Sequence, residues 1–191
     1  MRLRINCLNA FGELLEEYTM SQSEPQEREI IAQIEKMQRQ IKHYISLSSI
    51  TSIVEEFRDN ILRIPKSKRT LVWSKGQQMR LIETAMMGLP IHSIVVLFTG
   101  EYPYDEQYEV LDGSQRVLTL EAFMSNRLRL ENLEILTSLN GFTFSDIHFI
   151  QRNKFKSRIL KMIVVEKTVP HDMVREIAMR IDSGGTSLPD N

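Results

Sequence analysis

Five adjacent residues carry the densest chemistry in this chain. Asp112, Gly113, Ser114, Gln115 and Arg116 lie inside "YEVLDGSQRVLTLEAFM", Tyr108 to Met124. The stretch opens with a strand-like alternation, breaks at Asp-Gly and continues with helical spacing. The start of a helix exposes unpaired backbone N–H groups and the positive end of its dipole. A glycine there lets an anion approach the backbone closely. An arginine in the first turn adds a planar, permanently charged fork that matches phosphate. Strand, Asp-Gly and helix with Arg116 therefore read as an anion or phosphate site. Asp112 has two roles open to it. It can cap the helix in an Asp-x-x-Gln capping box with Gln115, or it can hold a metal or orient a water beside a bound phosphate.

The surrounding sequence predicts the elements that position this motif. "IHSIVVLF" reads as a buried strand and "YEVL" as a second, joined by the polar hairpin loop "TGEYPYDEQ". Ser74 and Gln77 form a capping box for a helix that turns Leu81, Ile82, Ala85 and Met86 inward and stops at Gly88, before Pro90. "RIPKSKRTLVW" cannot be helical through Pro65 and reads as a short strand entering a loop. A helix from about Ser49 carries Ile50, Ile53, Val54, Phe57 and Ile61. Asn140-Gly141 marks a tight turn, and a short helix starts at Ser145. A strand lies near Ile159–Val165, and a helix over about His171–Asp182 ends at Gly184-Gly185.

At the N-terminus, Leu8, Phe11, Leu15 and Tyr18 recur at helical spacing. Ser23 and Gln26 cap a second helix with the stripe Ile30, Ile34, Met37, Ile41 and Tyr44, and Glu35 can pair with Arg39. The two helices are expected to form a hairpin, packed as an appendage or used to dimerise. Elements alternate without the rhythm of a doubly wound sheet, so the fold class is α+β. Residues 1–46 form a helical extension and 47–191 the main domain.

Composition narrows the function. Lys and Arg number 24 against 25 Asp and Glu, which leaves a net charge of -1 and no overall basic field toward nucleic acid. Local basic patches exist: Lys66, Lys68 and Arg69, and Arg152, Lys154, Lys156 and Arg158. One cysteine, Cys7, excludes an intrachain disulfide and a cysteine-based zinc site within one chain. The longest clean apolar run, "IVVLF", is far too short to span a membrane. A soluble cytoplasmic protein is expected. The four histidines, His43, His92, His148 and His171, show no paired metal spacing. Glu101, Asp105, Glu106 and Glu109 read as a solvated acidic loop, with a divalent-metal site as the alternative. No Gly-x-Ser-x-Gly elbow and no Walker-type loop is present.

Four blocks in order give the chain a family likeness. They are Ile64-Pro65 through Arg69 to Val72-Trp73, then Leu81-Ile82-Glu83-Thr84 with Gly88-Leu89-Pro90-Ile91, then Asp112 to Arg116 followed by Leu118-Thr119-Leu120, and finally Arg180 to Leu188. The pattern resembles the bacterial domains named for an Asp-Gly-Gln-Gln-Arg motif. These occur in GmrSD-type modification-dependent restriction enzymes and related anti-phage proteins, within the ParB/sulfiredoxin-like superfamily. Ser114 stands where that family has Gln, Lys68 where it mostly has Gln, and Asp182 where it commonly has Asn.

The resemblance implies a small mixed sheet with surrounding helices. It also implies binding of a nucleoside triphosphate with Mg2+, and hydrolysis in several relatives, coupled to sensing or cutting DNA. Arg116, Gly113 and Ser114 would take the phosphates. Asp112 would serve the metal or the attacking water, and Gln115 would orient a phosphate oxygen or water. Arg69 would be a second phosphate fork. Trp73 would stack on a base or plug the core. Gly184, Gly185 and Thr186 would close over the site or only end a helix. The family pattern continues beyond Leu188 into another helix and often a nuclease module, so the domain is expected to be cut short at its C-terminal end. Two other functions stay open. One is a non-catalytic DNA sensor using Lys66, Lys68, Arg152 and Lys154 on phosphates. The other is a partner-recruiting protein acting through the N-terminal helices, including as a homo-oligomer.

Overall fold

A computed structural model of the chain describes residues 25–101 and 105–182. Its elements are helix α1 (Pro25–Gln40), strand β1 (His43–Ser49), α2 (Ile50–Arg58), β2 (Leu62–Arg63), α3 (Lys75–Met87), β3 (Ile94–Phe98), β4 (Tyr108–Asp112), α4 (Ser114–Met124), α5 (Phe149–Lys156), β5 (Ile159–Val165) and α6 (His171–Asp182). The five strands form one mixed sheet in the order β1-β5-β3-β4-β2. β3 runs antiparallel to β4 and parallel to β5, while β1 closes one edge antiparallel to β5. The chain is α+β, with a small mixed sheet and surrounding helices.

Side-chain alternation divides the sheet into two apolar faces. Ile94, Val96, Val110, Leu160 and Met162 turn to one side and are fully buried under α2, α3, α4 and α5. There Phe123 meets Phe144 and Phe155 with ring centroids 5.4 and 5.5 Å apart. Burying each such side chain contributes about 1.5–3 kcal/mol. Val95, Leu111 and Val165 turn to the other side and pack with Val174 of α6.

Local signals explain where helices begin and end. Ser74 Oγ accepts from Gln77 N, and Gln77 Oε1 accepts from Ser74 N, so the capping box of α3 is complete. Gly88 ends that helix in the left-handed conformation at φ 80°. Ser49 caps α2, accepting from Ser52 N at 3.0 Å. Glu35 and Arg39 pair across one turn of α1 at 3.0 Å.

Several sequence expectations are corrected. Tyr44 belongs to β1, and Ile41 lies in the link before it, so the stripe of α1 stops at Met37. The domain boundary expected at residues 46–47 falls inside β1. That strand was missed because its pattern is inverted: Ser46 and Ser48 are buried, whereas Leu47 is exposed. Ile61 lies beyond α2. Ser145 sits in a short 3-10 turn (Phe144–Asp146), and the following helix starts only at Phe149. The helix expected around Leu8–Tyr18, and with it the first arm of the hairpin, lies outside the described residues. Within α1, Ile30, Ile34 and Met37 are exposed.

One buried carboxylate ties a long connection to the helical layer. Glu83 of α3 is 6% exposed and accepts from the N–H groups of Glu134, Ile135 and Leu136 at 3.4, 2.7 and 2.6 Å. Burial works to raise its pKa. The N–H groups of Leu136, Ile135 and Glu134, with Arg80 nearby, outweigh burial and hold the carboxyl below its ordinary range. A depressed folded pKa stabilises the fold above the unfolded pKa of about 4.3 and loses that contribution as pH falls through the folded value. Glu83→Ala is therefore expected to cost about 2 kcal/mol or more at pH 7, since buried donors lose their acceptor. The melting-temperature gap between wild type and variant should narrow as pH is lowered below about 4. A gap that stays constant down to acid pH would show that the charge of Glu83 is not what holds the segment.

Candidate phosphate-binding site

Strand β4 delivers Asp112 to the start of α4 through an irregular register. Val95 pairs with Asp112 but Val96 with Val110, so β4 carries one extra residue at its end. Such a bulge re-aims the side chains that follow it. Gly113 then takes the N-cap position of α4 at φ 92°, a backbone conformation that side chains disfavour. A Cβ there would also lie 2.5 Å from Ile94 Cγ2 and 2.6 Å from Arg116 Nη1. Glycine is required at this position for its dihedral and for its lack of volume.

The Asp112–Gln115 capping box is not formed. With Gly113 at the cap, Asp112 sits one residue too early, and no side chain caps α4. The Asp112 carboxylate turns to Arg116 instead, with Oδ2 3.3 Å from Nη1. The same Nη1 donates to the Ser93 carbonyl at 3.1 Å. Both side chains of this pair are partly buried, so solvent screens their charges less than at an open surface.

Gln115 turns away from its own helix start. Its Nε2 donates to the Thr70 carbonyl at 2.8 Å, and its Oε1 accepts from Val72 N and Trp73 N at 2.8 and 3.1 Å. The amide thus clasps the loop between β2 and α3 against α4. Lys68 Nζ donates to the Leu111 carbonyl at 2.7 Å, and Gln78 Nε2 to that of Trp73 at 2.8 Å. These ties shape a cavity of about 370 Å³ between the loop and the start of α4. Ser67, Lys68 and Trp73 line one wall; Asp112, Ser114 and Arg116 line the other, together with Gly113 and Gln115.

A family model of the GmrSD restriction endonuclease N-terminal domain matches residues 50–191. The chain belongs to that family. Membership supports a role in a restriction or defence system. Comparison with curated proteins gave no match.

In this GmrSD-type domain the cavity gathers Asp112, Gly113, Ser114, Gln115, Arg116 and Trp73 from the residues singled out in the sequence. Arg69 is not among its lining residues, and its Nε donates to the Ile64 carbonyl at 2.8 Å. Lys68, expected to face DNA, lines the cavity, and Lys66 is exposed nearby. Arg152 and Lys154 sit apart on α5, where Arg152 Nη1 donates to the Ser145 carbonyl at 3.1 Å. Gly184, Gly185 and Thr186 lie outside the described residues. Among the described residues, Glu101, Asp105, Glu106 and Glu109 included, no group of three or more His, Cys, Asp or Glu is placed so that it could hold a metal. The backbones of Glu101 and Asp105 exchange two hydrogen bonds, both at 2.8 Å. No helix among the described residues is long and apolar enough to cross a membrane.

Ser67 and Thr70 line the cavity and were missed. Their only signal is their place in the loop after Ile64-Pro65.

Two substitutions test this construction. Gly113→Ala is expected to destabilise the fold by about 1–3 kcal/mol, read by urea denaturation, because it adds both strain and overlap. An unchanged midpoint would show that the glycine is a mere spacer. Gln115→Ala removes the acceptor for two loop amides and should speed hydrogen exchange at Val72 and Trp73 by about 5–10-fold. Unchanged exchange would mean that the loop holds itself.

Proposed function

We propose that the chain binds a nucleoside triphosphate at the start of α4 and acts as the nucleotide-dependent regulatory part of a DNA restriction system. The observation that carries this reading is convergence: an uncapped helix start, Arg116 and Lys68 border a single cavity. The polyphosphate would lie against Gly113, Ser114 and Gln115, where the helix dipole and unpaired N–H groups favour negative charge. Arg116 would supply a charge-assisted fork. Its present partner Asp112 balances that charge.

Among the described residues, Asp112 is the only carboxylate lining the cavity. A single carboxylate with phosphate oxygens and water suits Mg2+, which is rarely caged by protein alone. When bound, the ion would neutralise charge building on the phosphates. For hydrolysis, a water would attack the terminal phosphorus, the bridging P–O bond would break, the nucleoside diphosphate would depart with the bridging oxygen, and inorganic phosphate would be released. Asp112 would hold the ion or receive the proton of that water.

A second reading has its own support. Helix α5 presents Lys154 and Arg152 beside exposed Phe149 and Ile150, the mixture of cationic and apolar groups that can meet nucleic acid. In that reading the domain senses DNA without catalysis.

Arg116→Ala is expected to weaken triphosphate binding by about 10–100-fold, the scale of a lost charge-assisted bond, in a protein that remains folded. Wild-type affinity in calorimetry would remove Arg116 from the phosphate site. Asp112→Asn separates binding from turnover. Nucleotide should still bind, and phosphate release with magnesium should fall by about 100-fold or more. Equal, non-zero turnover by both proteins would exclude a chemical role for Asp112. Nucleotide binding with no turnover by the wild type, with or without DNA, would favour a sensor.

A further inference from the structure

A second cavity adjoins the first. It has a volume of about 470 Å³ and shares Trp73 and Arg116 with the phosphate cavity. Its floor is one face of α3. Arg80, Leu81 and Thr84 are spaced so that they fall on the same side of the helix. The opposite wall is the Pro90–His92 segment that follows Gly88, with Ile91 facing α3 across the gap.

The two cavities differ in character. The first is polar and carries Lys68, Ser67, Ser114 and Asp112. The second takes most of its surface from apolar groups, Trp73, Leu81, Pro90 and Ile91 among its lining, and is also lined by Gln77, Thr84 and His92 and by the cationic Arg80 and Arg116. Of these, Arg80 is already paired with Glu134 at 3.1 Å. A nucleotide has the same division: a polyanionic tail joined to a flat, largely apolar base. The second volume falls in the range of small-molecule pockets, about 300–1,000 Å³. An indole at the junction can stack on a base of any sequence, because every base has a π-face.

We infer that the groove between α3 and the Pro90–His92 segment is the nucleoside subsite, with Trp73 as its shared wall and Thr84 at its floor. The inference rests on the phosphate reading of the first cavity. It assigns to Leu81, Thr84 and Ile91 a ligand contact that the Asp112–Arg116 motif does not contain. The Gly88-Leu89-Pro90-Ile91 turn then acts as a wall of the site, in addition to ending α3.

Trp73 is the chain's single tryptophan and lines both cavities, so its fluorescence reports on either, and the comparison of nucleotide with inorganic triphosphate separates the two. The test titrates wild type and Thr84→Phe with inorganic triphosphate and with each of the four common ribonucleoside triphosphates, all with magnesium. Phe at position 84 would fill the groove and leave the first cavity untouched. At least one nucleotide should bind wild type about ten-fold or more tighter than inorganic triphosphate and change Trp73 emission. Thr84→Phe should reduce that nucleotide to the affinity of inorganic triphosphate, whose own binding should not change. If no nucleotide binds wild type more tightly than inorganic triphosphate, or if Thr84→Phe keeps the full nucleotide preference, the base lies elsewhere and the inference fails while the phosphate site stands. If neither inorganic triphosphate nor any nucleotide binds wild type, the phosphate reading fails and the subsite falls with it. Should Thr84→Phe not fold, the wild-type comparison of nucleotide with inorganic triphosphate decides by itself.

Discussion

Strand β4 becomes helix α4 through one left-handed residue, Gly113, and the space around it admits no side chain. This turn aims the start of α4 at the loop between β2 and α3. It lets Arg116 fold back toward Asp112 and the Ser93 carbonyl, and it lets the helix pack beside Ile94. Any other residue at 113 would push on Ile94 and on the arginine together. The cavity, its charge and the adjoining sheet therefore depend on the same absent methyl group.

From that turn the site is assembled by ties between distant segments. Gln115 holds the backbone of Thr70, Val72 and Trp73, and Lys68 holds the carbonyl of Leu111 in β4. Each tie satisfies a backbone group that would otherwise need water. The loop consequently keeps its shape without secondary structure of its own beyond a single 3-10 turn at Lys66–Lys68. Arg116 already has an anionic partner, so an arriving phosphate would compete with Asp112 for part of its charge. A metal on Asp112 would relieve that competition, which links the cation and the anion in one physical argument.

Much of this was legible in the sequence where one signal dominated. Asp-Gly between a strand pattern and a helix pattern marked the β4–α4 junction, and Ser74 with Gln77 marked the start of α3. The α+β class and the family likeness were readable from ordered motifs. β1 was not, because two buried serines alternate with an exposed leucine and reverse the usual polarity. The role of Asp112 was misjudged as a possible cap because the position of the N-cap depends on the dihedral of Gly113, which no residue type states. Gln115 gave no hint of its loop partners, since they lie more than forty residues away and meet it only once the sheet has formed. The groove between α3 and the Pro90–His92 segment was equally hidden, being a property of two elements and not of a motif.

The most direct test of the central claim is an amide chemical-shift titration of the whole chain with inorganic triphosphate and magnesium. The amides of Gly113, Ser114 and Gln115, with the side-chain N–H signals of Arg116, should shift first and saturate together. Shifts confined to α5, around Arg152 and Lys154, with the Gly113–Arg116 signals unmoved, would contradict a phosphate site at the start of α4.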